Sequence, residues 1–192
     1  MYQAGNKPLK IYDTLSRKIS AEIGETPYEI VYTEDRLRLK YYRPEKRIIK
    51  TPLLLVYALI NRETMLDLEP ERSVIRSLLD GGVEVYMVDW GTPTRKDRFL
   101  TIDDHVNGYM DRLVDVVCRR HRLTKVNMMG VCMGGTFAVM YSALHPKKVK
   151  NLITSVTPVQ FDTDKGLLHC WMKGLDVDSL VDAMGNVSGD FC

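Results

Sequence analysis

No block of lysine and arginine interrupts this 192-residue sequence, and no basic stripe carries interleaved aromatics, so nothing in its charge pattern points to nucleic acid. Both signs are interspersed and the formal net charge is only +2. No C-x-x-C pair occurs: Cys118, Cys132, Cys170 and Cys192 are widely spaced, which suggests neither a zinc site nor a disulfide framework. No long apolar run occurs either. The longest, Leu53 to Ile60, is far too short to span a bilayer. The opening Met1-Tyr2-Gln3-Ala4-Gly5 lacks the charged-then-apolar pattern of a secretory signal. The expectation is a cytoplasmic protein with free thiols. What is present, 45% hydrophobic and 27% charged residues, fits a folded domain with a substantial core.

Periodicity divides the chain. Leu9, Tyr12, Leu15 and Ile19 lie at helical spacing and predict a short amphipathic helix. Tyr28 to Thr33 and Leu37 to Tyr42 alternate apolar and polar residues about Glu34-Asp35, predicting a hairpin that exits through Pro44 and Lys46-Arg47. From Leu53 the pattern changes to continuous apolar runs, as in strands buried on both faces of a parallel sheet: Leu53–Tyr57, Val83–Val88, Val126–Met129 and Leu152–Val156. Helices are predicted between them. One spans Ser73–Asp80 and is closed by Gly81-Gly82. Another starts at a Thr101-x-x-Asp104 capping box and carries a stripe of Ile102, Val106, Met110, Leu113 and Val117. The last spans Met133–Leu144. A doubly wound, mostly parallel α/β sheet with an N-terminal antiparallel hairpin follows. Asp176 to Cys192 closes no recognisable element. The implied organisation is an N-terminal helical segment (1–27), a core (28–165) and the start of a cap (166–192).

Gly130-Val131-Cys132-Met133-Gly134-Gly135 falls between the third apolar strand and the helix after it. This is a G-x-nucleophile-x-G elbow with cysteine at its centre. Such a turn forces the central residue into strained backbone, and small neighbours avoid the resulting clash. It also sets the cysteine at a helix N-terminus, where dipole and free N–H groups favour thiolate. The N–H of Met133 would face the oxyanion of a tetrahedral intermediate, and a second donor is expected from Ala58-Leu59-Ile60-Asn61. The bland alternative is a small buried cysteine; the placement of the elbow favours the nucleophile. Cys118, Cys170 and Cys192 read as ordinary residues, on a helix, in an irregular segment and at the terminus.

A cysteine nucleophile needs a base, normally histidine, and a carboxylate to orient it. His169 is the only later histidine in a loop-like setting, and nothing strand-like precedes it. His145 ends the elbow helix, and His105 and His121 read as solvated positions on the long helix. Asp162 and Asp164 read as solvated loop carboxylates. Asp89 and Trp90 end a strand on the side where open sheets bind ligands, where the indole either shapes a pocket or packs the core. The triad's histidine and aspartate are expected to be missing from these residues.

Several further runs carry a resemblance: Val56-Tyr57-Ala58-Leu59-Ile60-Asn61-Arg62, Met65-Leu66-Asp67-Leu68, Val88-Asp89-Trp90-Gly91, Asp103 to Tyr109, Met140 to Pro146, and Asp182-Ala183-Met184-Gly185-Asn186. Together with the elbow they resemble poly(3-hydroxyalkanoate) synthase of the α/β-hydrolase superfamily over residues 28 to 190, closest to the class III catalytic subunit. The resemblance implies an acyltransferase that polymerises 3-hydroxyacyl-coenzyme A and releases coenzyme A. Its nucleophile maps onto Cys132, and its oxyanion donors onto the N–H groups of Met133 and Ile60. It implies no cofactor and no metal. It implies a second, PhaE-type subunit and a cytoplasmic location on polymer granules. The family's catalytic aspartate and histidine, with the last strands and most of its cap, match positions beyond residue 192, so the chain resembles an N-terminal fragment, expected to be inactive alone and to expose its last parallel strand at a sheet edge. Two other readings stay open: an acyl-CoA thioesterase with the same elbow, and a non-catalytic interaction domain.

Overall fold

A computed structural model of the chain describes residues 24, 26–161, 169–170 and 173–185. The helix expected around Leu9 to Ile19 lies outside the described residues, as do Asp162, Asp164 and Cys192.

The hairpin forms from β1 (Glu29–Glu34) and β2 (Leu37–Tyr42), paired antiparallel with Glu34 opposite Leu37. Its turn is Asp35-Arg36, one residue later than the sequence suggests, because Asp35 takes the left-handed conformation (φ 52°) and Glu34 stays in the ladder. β2 then pairs antiparallel with β4 (Val85–Asp89). The remaining pairings are parallel: β3 (Leu53–Val56) with β4 and with β5 (Val126–Val131), and β5 with β6 (Val149–Ser155). The sheet runs β1-β2-β4-β3-β5-β6.

All four residues of β3 and all five of β4 are buried, as continuous apolar runs require when both faces of a sheet are covered. α1 (Val74–Asp80) packs one face, where Ile75 meets Leu55, Val85 and Met87. Ser73 caps it by accepting the Arg76 N–H at 2.9 Å. The opposite face holds the larger core, with Leu54, Val56, Tyr86 and Val88 under α2 (Asp111–His121) and α3 (Met133–Leu144). The chain therefore leaves β3 toward one face and β5 toward the other, and adjacent loops diverge at the C-terminal ends of these two strands. That divergence opens the crevice in which such sheets bind ligands.

Three further features depart from the sequence expectation here. The turn before α2 is a π-helical segment, Asp104–Met110, begun by the Thr101–Asp104 capping box. Its wider turn shifts the phase of the apolar stripe. Ile102 is left 57% exposed, while His105 and Tyr109 enter the core beside Val106 and Met110. Second, α4 (Val177–Met184) occupies a stretch in which no element was expected. Asp176 caps it through the N–H and hydroxyl of Ser179, at 3.1 and 2.6 Å, and Gly185 (φ 82°) closes it. Third, His121 is not a solvated position. Its side chain is 10% exposed and bonds the Tyr86 hydroxyl at 2.8 Å, with Glu84 3.7 Å from the other ring nitrogen.

β6 is an edge strand among the described residues, with Leu152 and Ile153 exposed to 37% and 50%. No helix among the described residues is long and apolar enough to cross a membrane.

Candidate active site

Cys132 stands between β5 and α3, side chain exposed, with φ 54° and ψ −128°. A non-glycine residue held there costs on the order of 1–3 kcal/mol and persists only where its surroundings over-determine it. They do so here. The Cys132 N–H donates to the Ser155 carbonyl at the end of β6 (3.0 Å), and the Cys132 carbonyl accepts from Gly135 (2.8 Å) and Thr136 (3.3 Å). Gly130 and Gly135 touch backbone to backbone: a Cβ on Gly130 would overlap the Gly135 Cα and the Ala138 methyl. The strained turn expected from the motif is present.

The first N–H groups of α3, those of Met133 and Gly134, lie immediately after Cys132 and have no intrahelical partner. The loop after β3 meets this helix end directly, because Gly134 leaves no room for a side chain against the carbonyl oxygens of Val56 and Tyr57. Ile60 sits farther out on that loop and is 77% exposed. Its neighbours Leu59 and Asn61, with Ala58, Trp90, Asp89 and Arg38, line a cavity of about 230 Å³ at the C-terminal ends of β3 and β4. Trp90 serves both roles that its sequence position left open. It is 6% exposed in the core and also lines this cavity.

Asp89 is buried. One oxygen accepts the Gly91 N–H at 2.9 Å, and the other meets Arg38 at 2.8 Å and Lys40 at 3.4 Å. Lys40 in turn pairs with Glu63 at 2.5 Å, so the exit of the β3 loop is tied to the hairpin. Asp67, a little farther along, is buried and accepts from the Thr26 N–H (3.0 Å), the Thr26 hydroxyl (2.7 Å) and the Ser73 hydroxyl (2.5 Å).

Among the described residues no hydrogen bond or ion pair joins a histidine to Cys132. His105, read from sequence as solvated, is 6% exposed. Its Nδ1 bonds the Thr101 carbonyl at 2.7 Å, and its ring stacks on Phe137 and meets Trp90 and Tyr109 edge-on. The π-helical turn explains the difference by rotating residue 105 inward. His145 stacks on Tyr141 at the end of α3, and its Nε2 contacts the Asn107 amide oxygen (2.7 Å). His169 lies in a helical turn with Cys170.

Two neighbours of the elbow escaped the sequence reading. Burial pushes the Tyr57 phenol above its ordinary pKa, and the neighbouring Cys132 adds to the rise. Val156, expected to end β6, instead turns to φ 48° just past Ser155 and is 83% exposed. Positive φ in a β-branched residue has no sequence signal.

Residues 51–179 match the family described as alpha/beta hydrolase fold. The chain belongs to that family. Residues 2–78 of this α/β-hydrolase-fold chain also match the N-terminus of poly-beta-hydroxybutyrate polymerase (PhaC). Among curated proteins it is similar to the poly(3-hydroxyalkanoate) polymerase subunit PhaC of Allochromatium vinosum, 50% identical over 172 residues that make up 88% of this chain and 48% of that one. The PhaC subunit of Thiocystis violacea is 48% identical over 171 residues, with the same shares covered. The chain thus spans about half the length of the curated relatives it matches. Solved structures agree on the fold. The Francisella virulence factor BioJ aligns with a TM-score of 0.59 at 18% identity, over 81% of this chain and 52% of that one. A thioesterase domain from the curacin biosynthetic pathway aligns at 0.51 and 16% identity, over 86% and 63%.

Proposed function

We propose that this chain carries the nucleophile of a poly(3-hydroxyalkanoate) synthase, an acyltransferase that polymerises 3-hydroxyacyl-coenzyme A, 3-hydroxybutyryl-coenzyme A foremost. One observation carries the reading: an exposed cysteine sits at the strained elbow of a chain 50% identical to a PhaC polymerase subunit. The Cys132 thiol gives up its proton and its sulfur attacks the thioester carbonyl. The N–H groups of Met133 and Ile60 receive the oxyanion, and collapse expels coenzyme A thiolate, which takes up a proton. A chain-end hydroxyl then attacks the Cys132 thioester, forming the new ester and restoring the thiol. A thioester suits this cycle because it keeps the acyl group activated for the next hydroxyl, where an oxygen ester would hold it less reactively. The histidine and aspartate that move the proton come from outside these 192 residues. The protein works in the cytoplasm at the surface of polymer granules with a PhaE-type second subunit.

The test is turnover of 3-hydroxybutyryl-coenzyme A by the full-length protein, with product analysis. Polymer with coenzyme A release, both lost in Cys132→Ala, is expected. Free 3-hydroxybutyrate as the sole product would instead make the protein a thioesterase, and full turnover by Cys132→Ala would remove the nucleophile assignment.

A further inference from the structure

Trp90 stands where three elements around Cys132 meet. It directly follows β4, and its Nε1–H donates to the carbonyl of Tyr57, the residue that directly follows β3 (3.0 Å). Its ring meets Phe137 of α3 edge-on at 6.1 Å and His105 of the π-helical turn at 5.4 Å. The backbone of Trp90 is held as well. Arg36 Nε donates to the Trp90 carbonyl at 3.0 Å and pairs through its guanidinium with Asp97 at 2.5 Å. Gly91 adopts φ 66° and lies so close to the Arg36 carbonyl that a Cβ there would overlap it.

The acceptor matters more than the burial. A buried indole N–H must find some acceptor, and any carbonyl would satisfy it. This one belongs to the first peptide of the loop that continues through Ala58 and Leu59 to Ile60. A peptide is planar, so fixing the Tyr57 carbonyl also fixes the direction of the Ala58 N–H and the path on which the loop departs. Gly134 presses on the same carbonyl from the elbow helix. The Tyr57 carbonyl is therefore clamped between the indole N–H and the helix end that carries Cys132.

We propose that Trp90 is a positioning residue: its indole N–H orients the Tyr57–Ala58 peptide and so aims the oxyanion-binding loop at the acyl carbonyl on Cys132. The inference rests on the reading of Cys132 as the acylated nucleophile. Donors to a developing oxyanion act because they are aimed beforehand, and a bond that aims the loop matters only for steps that form an oxyanion.

Two reactions of Cys132 in the full-length protein separate the cases. Acylation by 3-hydroxybutyryl-coenzyme A passes through a tetrahedral oxyanion; alkylation by iodoacetamide does not. Trp90→Phe keeps an aromatic ring and removes the N–H. Replacement of Trp90 by 3-benzothienylalanine keeps the bicyclic shape and removes only the donor, which guards against a variant that fails to fold. Acylation is expected to slow about tenfold in both, with alkylation within about twofold of the parent. Unchanged acylation overturns the proposal, and so does an equal fall in both reactions, which would make Trp90 a packing residue alone. If the parent protein is alkylated but never acylated at Cys132, the nucleophile reading fails and the proposal falls with it.

Discussion

Gly134 packs its backbone against the carbonyl oxygen of Val56 so closely that a single methyl group at position 134 would overlap it. The elbow helix and the end of β3 are therefore in direct backbone contact, and this contact sets the distance between Cys132 and the loop that carries Ile60.

Gly134→Ala should force the two apart. Overpacking of this kind costs about 1–3 kcal/mol, and here it also displaces the first turn of α3. In the full-length protein the urea midpoint should fall, and Cys132 acylation should slow more than stability alone explains. Native midpoint and native acylation in this variant would show that the contact is slack.

Lys40 is the second place where a single change should be costly. Its ammonium is almost wholly buried between Glu63 and Asp89, with the Tyr28 ring 4.7 Å away. Lys40→Met leaves Glu63 without its cation, and breaking a buried pair from one side costs about 3–5 kcal/mol. Lys40→Met with Glu63→Gln should recover part of that loss, which a double-mutant cycle measures. A loss under about 1 kcal/mol for Lys40→Met would place the pair with ordinary surface bridges.

His121 gives a pH dependence of known sign. Burial holds the ring below the ordinary histidine pKa, with Arg47 and Arg120 acting the same way and Glu84 opposing them. The unfolded chain, titrating near 6.5, then binds more protons than the folded one in the window below that value. The stability His121 contributes is present above about pH 6.5 and is lost as pH falls through the folded value. Urea midpoints at about pH 7.5 and 5.5 should fall more in the parent protein than in His121→Gln, which keeps a group able to bond the Tyr86 hydroxyl. Equal losses would remove His121 from the acid sensitivity.

Much of this architecture is legible in the sequence, for a physical reason. Leu53 to Val56 and Val85 to Val88 are apolar at every position because the sheet is covered on both faces. The elbow is legible because Gly130 and Gly134 meet backbone, and Gly135 the Thr157 side chain, too closely for a Cβ. The rest depends on partners distant in sequence. Lys40 alternates as a surface residue should, and only Glu63 and Asp89 make it a core cation. His105 follows a stripe counted at 3.6 residues per turn, which a π-helical turn puts out of phase. The Tyr57 carbonyl carries no sequence signal; its role depends on an indole 33 residues away. α4 does carry a sequence signal, since Val177, Leu180, Val181 and Met184 follow helical spacing behind an Asp cap.

The claim on which the rest depends is that Cys132 carries the acyl group. Full-length protein mixed with 3-hydroxybutyryl-coenzyme A, quenched in acid and digested, should yield a Cys132 peptide heavier by one or more 3-hydroxybutyryl units, with coenzyme A released in step. Acyl mass on another residue, or coenzyme A release that persists in Cys132→Ala, would contradict it.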